Sequence, residues 1–360
     1  MNLRDVYTSK AIALVNTEAA SNKIAYLGAG LFPAKKKMGL DLKWIKTPKG
    51  LPVSLAPSNF DAVSTLRSRE GFKMDETEMA FFRESILLKE ADRQEILRVQ
   101  DSADPYAQDV LARVFNDAET LVDGALVVPE RMRMQLLTPP ATGAKAGSPQ
   151  ISFQANGVTY AYNYDPDGDY AANNYLAIST ATSKWDDHVN SDPLSDIQTG
   201  IDAIYDKTGE KPAYLIVSPA TMKHMRLNEN IKSAVLAQNP TANVRMNDAR
   251  VKEIVKDINE VEIIVYGKKF KNDAGAAQQF FADGYATLIP AGALGNTWFG
   301  TTPEEADLLS KADVDVSIVE TGVAITVSTS NDPVQTKTTV SEITLPSYER
   351  MDETFVIKCY

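Results

Sequence analysis

The chain has 360 residues, 44% of them hydrophobic, enough for one large core or two to three modest ones. Its formal charge is −11 and its pI about 4.9, which argues against a surface built to grip nucleic-acid phosphates. One cysteine, Cys359, excludes a disulfide framework within the chain, and no eighteen consecutive apolar residues are available for a membrane helix.

The charge is uneven. Residues 1–70 hold eleven Lys/Arg against five Asp/Glu, a net of +6, which leaves −17 for the remainder. A basic portion on an acidic body reads either as a solvated arm or as an arm laid on a neighbouring copy. The opening residues carry Asp5 and no long apolar run, so no secretory signal is expected. One short helix is expected around Ala11–Ala20. The stretch LGAGLFPAKKKMGLDLKWIK (27–46) follows. Its glycines and lysines invite a phosphate loop, which needs Gly, four residues, then Gly-Lys-Ser/Thr. The fifth residue after Gly28 is Pro33 and the fifth after Gly30 is Lys35, with no Ser or Thr behind it. The nucleotide reading fails.

In LDLKWIK, Leu40, Leu42 and Trp44 are expected on one side of an extended segment. Pro48, Gly50, Pro52 and Pro57 and a polar run follow, so residues 39–70 read as a hairpin or long loop ordered from outside itself. A strand is expected over Phe81–Leu87, then a short helix in KEADRQEILRVQ. The strongest helix runs from about Tyr106 to Met134, with Asp104 as cap and Pro105 first. Val110, Leu111, Val114, Phe115, Ala118, Leu121, Val122, Ala125 and Leu126 give it one apolar face. Gly124 and Pro129 predict a kink or break near its end.

Beyond a turn-rich linker, two β-rich runs joined at Asn156-Gly157 predict a hairpin. From Asp192 the pattern becomes strand–helix alternation. Asp192 caps a helix that starts at Pro193 and stops at Gly209, followed by the strand AYLIVS and a helix opened by Ser218-Pro219. Further strands complete a mixed domain, and the last two, KTTVSEITLPSYE and ETFVIKC, are expected to return to the hairpin. The class is α+β.

No catalytic constellation is visible. His188 and His224 have no cysteine or paired carboxylate at metal spacing. Asp165, Asp167 and Asp169 resemble the opening of a calcium loop, but its sixth and twelfth positions are Tyr170 and Leu176, so a tight acidic turn is the better reading. In KWDDH, Asp186, Asp187 and His188 suggest acid–base chemistry, yet a helix start or subunit contact fits better. Trp44, Trp185 and Trp298 read as anchors in packing or interfaces rather than as stacking platforms for bases.

The order of segments resembles the lambda-type major capsid protein E family of tailed bacteriophages, with the Hong Kong-type capsid fold. The resemblance is carried by DRQEILRVQDSADPYAQDVLARVFNDAETLVDGALV, GVTYAYNYDPD, KWDDHVNSDPLSDIQTGIDAIYDKTG, YLIVSPATMKHM, VEIIVYGKKF, FFADGYATLIPAGALGNTWFGTTPEEADLL and ERMDETFVIKC. It covers most of the chain from about Leu88. It implies an N-terminal arm (1–38), an extended loop (39–85) and a peripheral domain with spine helix and hairpin (86–192). An axial domain (193–310) and strands returning to the peripheral domain (311–360) complete it.

It further implies a structural protein with no enzymatic activity and no cofactor. Such a protein assembles as pentamers and hexamers into an icosahedral shell around double-stranded DNA, which it does not read by sequence. Implied partners are a separate scaffolding protein, since no built-in leader is expected, a portal and a decoration protein, with no covalent cross-link and no membrane. Assembly would take place in the host cytoplasm and end in the virion capsid. Inter-subunit contacts are expected at Lys35, Lys36 and Lys37, meeting a neighbour's carboxylates, and at Leu42, Trp44 and Leu55, buried across a neighbour. Two alternatives stand: an encapsulin-like nanocompartment shell, which genes for cargo rather than a terminase and portal would mark, and an intracellular α/β enzyme.

Overall fold

The computed structural model describes residues 8–20, 26–46, 73–88, 90, 94, 105–155, 157–238, 246–272, 275–308, 315–319, 321–331 and 334–360. In chain order, α1 (Ser9–Ala20) and α2 (Leu27–Leu31) precede β1 (Ala34–Lys36), β2 (Asp41–Lys46), β3 (Lys73–Glu78) and β4 (Ala80–Leu88). Next come α3 (Pro105–Leu137), the pair β5 (Gln150–Ala155) and β6 (Val158–Asn163), α4 (Asp169–Asn173) and β7 (Tyr175–Ala177). The alternating part holds α5 (Pro193–Thr208), β8 (Tyr214–Val217), α6 (Pro219–Leu227), α7 (Glu229–Gln238), α8 (Asp248–Asn259) and β9 (Glu262–Val265). It is followed by β10 (Lys269–Lys271), β11 (Ala277–Gln279), β12 (Tyr285–Ile289), β13 (Asn296–Phe299), β14 (Asp315–Val319), β15 (Val323–Asn331), β16 (Val334–Ser347) and β17 (Phe355–Lys358).

Local chemistry explains most of these limits. The Asp192 side chain accepts from the Ser195 N–H at 3.3 Å, Pro193 opens α5, and Gly209 ends it at φ +73°, donating to the Tyr205 carbonyl at 2.7 Å. Ser218 caps α6 in the same way through the Thr221 N–H. The hairpin β5–β6 turns where expected, with Ala155 opposite Val158 and Gly157 at φ +78°. Of the kink or break expected at Gly124 and Pro129, the break does not occur: the spine helix α3 runs through both residues as one helix. Asp104, and most of KEADRQEILRVQ, lie outside the described residues.

The chain divides into two compact units. Unit 1 takes Met1–Lys43, Glu76–Met132 and Asn296–Ser347, and unit 2 takes Trp44–Asp75, Arg133–Gly295 and Tyr348–Tyr360. In unit 1 a sheet runs β1-β13-β16-β15-β14, with β4 also paired to β16. Ile12, Leu121, Val122, Val319, Val323, Ile325 and Val340 form its core, so α1 and the middle of α3 bury apolar faces against β14–β16. The Ser9 hydroxyl adds bonds to Asp315 Oδ1 and Ser317 Oγ, both 2.7 Å.

In unit 2 the sheet order is β7-β17-β12-β8-β9. Helices α5 to α8 supply Ile197, Ile201, Met222, Ile231, Val251 and Ile254 to a core shared with Leu215, Val217, Leu288, Phe355 and Ile357. Each such side chain, fully buried, contributes about 1.5–3 kcal/mol relative to exposure. Packing of α5 is close: a Cβ on Gly200 would lie 2.7 Å from Leu288 Cδ1 and 2.8 Å from Phe355 Cδ1.

Two expectations are corrected. The last two strands do not return to the hairpin. β16 pairs with β4, β13 and β15, and β17 pairs with β7 and β12, while β5–β6 stay a two-stranded sheet. The reason is burial: three of the four residues of β17 are buried, whereas β6 is mostly exposed and offers no core. Leu40 and Leu42 do not share a face, because β2 begins at Asp41; Leu40 is exposed and Leu42 buried. The Gly/Pro/Lys stretch, to which the sequence assigned no element, holds α2 and β1.

Candidate inter-subunit contact site

The basic stretch is fixed from both sides within unit 1. The Gly28 N–H at the start of α2 donates to Glu130 Oε1 at 3.1 Å, and Glu130 is itself fully buried. Phe32 is buried, its carbonyl accepts from Thr297 Oγ1 at 2.9 Å, and the Pro33 carbonyl accepts from the Thr297 N–H at 2.9 Å. Those bonds set β1 parallel to β13, with Ala34 opposite Thr297, Lys35 opposite Trp298 and Lys36 opposite Phe299.

The three lysines therefore occupy a defined edge, and each has a partner in its own chain. Lys35 Nζ lies 5.5 Å from the centre of the Trp298 ring. Lys36 pairs with Glu305. Lys37 donates its backbone N–H to Phe299 at 2.8 Å and its Nζ to the Asp41 carbonyl at 2.7 Å. Leu42 is fully buried within its own chain. Trp44 sits in β2, but its side chain, like Leu55 entirely, lies outside the described residues.

Residues that complete this site were not visible as functional in the sequence. Glu304 is buried, accepts from Arg83 Nε at 3.0 Å and from Ser341 Oγ at 2.7 Å, and stands beside Glu305. Thr302 caps this turn, accepting from the Glu305 N–H at 3.3 Å. The run Thr-Pro-Glu-Glu signals a helix start, but nothing local names partners more than 200 positions away.

The chemical candidates of unit 2 are held by ordinary structural bonds. Asp165 accepts from Ser148 Oγ at 3.0 Å, the Tyr170 N–H at 3.1 Å and the Ala171 N–H at 3.0 Å, which makes DPDGD a cap for α4. Trp185 is fully buried and donates Nε1 to Asp196 Oδ2 at 2.8 Å. Burial pushes the Asp196 carboxyl up, and the Trp185 bond opposes that. Asp187 accepts from the Asn190 side-chain amide at 2.9 Å and from the backbone N–H groups of Asn190 and Val189, both at 3.1 Å, and these bonds, the side-chain one first, hold its carboxyl below the usual range. His188 Nε2 and His224 Nδ1 are 2.9 Å apart. Burial first, and the His188 charge second, lower the His224 pKa. Among the described residues no three His, Cys, Asp or Glu side chains gather as a metal site, and no helix is long and apolar enough to cross a membrane.

The carboxylates and lysines described here join strand to strand within unit 1. The fold is similar to that of a phage-related protein from Bordetella bronchiseptica RB50, with a TM-score of 0.54 and 16% identity over 96% of this chain and 95% of that one. A putative capsid protein of a prophage of E. coli CFT073 gives 0.49 and 12% over 80% of each chain. The procapsid of satellite phage P4 gives 0.46 and 9% over 96% and 90%. No curated protein sequence matches. The profile of the family described as phage major capsid protein E matches residues 15–356, and the chain belongs to that family. It is a structural protein of a tailed-phage head shell with the Hong Kong-type fold, located in the virion capsid, and not an enzyme; the nanocompartment alternative is not favoured.

Proposed function

We propose that the chain assembles as pentamers and hexamers into an icosahedral head that encloses double-stranded DNA without reading its sequence. A separate scaffolding protein guides assembly in the host cytoplasm, a portal occupies one vertex, and a decoration protein braces the outside. Residues 1–38 serve as arm, 39–85 as extended loop, 86–192 and 311–360 as peripheral domain, and 193–310 as axial domain. The family match over 15–356 carries this reading, and the net charge of −11 supports it, because a like-charged wall does not hold packaged DNA tightly. Within the expected contact set, Lys35 and Lys36 keep exposed surface for a neighbour's carboxylates, and Trp44 and Leu55 meet the neighbour from the loop. Leu42 instead holds the root of its own loop.

Negative-stain electron microscopy of the protein made with its scaffold tests the proposal. Shells or capsomers are expected. Monodisperse small oligomers that never form either would sink it. Deleting residues 39–70 should leave a soluble protein that makes no shells, and normal shells from that deletion would remove the role given to the loop.

A further inference from the structure

The pair β5–β6 is a two-stranded sheet among the described residues, so each strand has one outer edge. The outer edge of β5 is closed from within the chain. Gln135, in the last turn of α3, accepts from the Ser152 N–H at 3.0 Å and donates to the Ser152 carbonyl at 3.3 Å. Its amide takes both backbone groups that a further strand would need there.

β6 has no such cover. The Tyr164 N–H donates to the Pro149 carbonyl at 3.0 Å, Ile151 stands opposite Tyr162, and Phe153 stands opposite Tyr160. Hydrogen-bonded positions alternate along an antiparallel pair, so Tyr160 and Tyr162 aim their backbone at β5, while Thr159, Ala161 and Asn163 aim theirs outward. These three residues are exposed, and β6 pairs with no other described strand. Natural sheets blunt an exposed edge with charged residues, proline or bulges. The strand VTYAYN has no charge and no proline, and its register with β5 is unbroken. No charged residue occurs between Lys145 and Asp165, in a chain that is 24% charged.

This neutrality selects the occupant. When β6 pairs antiparallel with β6 of another copy, residues near the two-fold axis face their own counterparts. A charged residue there would meet its like, which is destabilising. Instead the axis falls at Ala161, with Thr159 opposite Asn163 and Tyr160 opposite Tyr162 of the second copy. Two copies of net charge −11 repel as wholes, and a neutral edge lets them meet without adding to that. The Tyr160 and Tyr162 rings are stacked within one copy, with centres 6.3 Å apart and planes 8° apart, and the pairing continues that row across the axis.

We propose that the outer edge of β6 is a self-complementary docking edge, to which β6 of a second copy adds in antiparallel register, making a four-stranded sheet β5-β6-β6-β5. The inference rests on the reading of the chain as self-assembling, and it names a surface outside the arm and loop contacts proposed above.

Disulfide trapping in the full-length chain tests this. Opposed residues of a hydrogen-bonded pair have Cα atoms about 5.5 Å apart, inside the range of about 4.4–6.8 Å that a disulfide spans. Ala161→Cys should therefore give a cross-linked dimer under oxidised glutathione. Thr159→Cys, whose counterparts would lie about 14 Å apart at about 3.4 Å per residue, should give about tenfold less. Cys359 is buried and stays out of the reaction. Ala161→Lys, made at an exposed position, should weaken self-association in sedimentation velocity by up to about fivefold, with an unchanged far-ultraviolet dichroism spectrum. Equal trapping at 159 and 161, no trapping at 161, or unchanged association of Ala161→Lys overturns the pairing. Trapped dimers that never grow into capsomers or shells keep the pairing and refute the larger reading instead. Capsomers or shells with no trapping at Ala161 do the reverse.

Discussion

Replacing Asp165 by Asn asks whether the DPDGD run is a structural cap or an ion site. The carboxylate is 3% exposed and spends Oδ1 on the Tyr170 N–H, and Oδ2 on Ser148 Oγ and the Ala171 N–H. An amide whose oxygen takes the Oδ2 position keeps two of these bonds. Its NH₂ then faces the Tyr170 N–H, donor against donor. One charge-assisted bond is lost, which amounts to about 1.5–3 kcal/mol. For a domain of this size that lowers the unfolding midpoint by roughly 2–4 °C per kcal/mol. Asp165→Ala leaves all three donors without the carboxylate and should lower it further. Thermal unfolding with and without excess calcium chloride reads both questions at once. A midpoint for Asp165→Asn equal to wild type would refute the cap. A calcium-induced rise in wild type that Asp165→Asn abolishes would refute the structural reading and restore the ion site.

Two further outcomes follow from unit 2. The neutral form of His224 is favoured in the folded chain, so its contribution is complete above about pH 6.5 and is lost as pH falls through its lowered folded value. His224→Gln should flatten the stability profile on the acid side only, and parallel profiles for the two proteins in a pH series of thermal melts would count against this. Gly200→Ala gains helix propensity of about 1 kcal/mol but drives a methyl to 2.7 Å from Leu288 and 2.8 Å from Phe355. Overpacking of this kind destabilises by about 1–3 kcal/mol, so the net effect should be a lower midpoint in urea; an equal or higher one would show that the Phe355 ring yields.

What the sequence disclosed was whatever neighbouring residues decide. The limits of α5 are written in Asp192, Pro193 and Gly209, and the hairpin in Asn156-Gly157, because capping and turn preferences act over a few positions. β1 was invisible for the opposite reason. Its three residues, Ala-Lys-Lys, carry no apolar alternation, and they are extended only because β13, more than 260 positions later, supplies the hydrogen bonds. The lysines were singled out by charge, which says that they need carboxylates but not whose. The structure gives Lys36 one in its own chain, at a glutamate pair that the sequence reading did not single out. Leu42 shows the same limit, since an apolar residue in a segment unable to fold alone must be covered, and its own chain covers it.

The place of β17 in its sheet has a bearing on how the protein is made. It lies between β7 and β12, so two strands synthesised at least 65 positions earlier have no common neighbour until it arrives. Phe355 and Ile357 are also members of the unit 2 core, and β16 plays the corresponding part in unit 1. Neither unit can close on a nascent chain while these stretches are still inside the ribosome. A prematurely terminated product would carry open strand edges and an unfilled core, fit for proteolysis rather than for a place in a lattice.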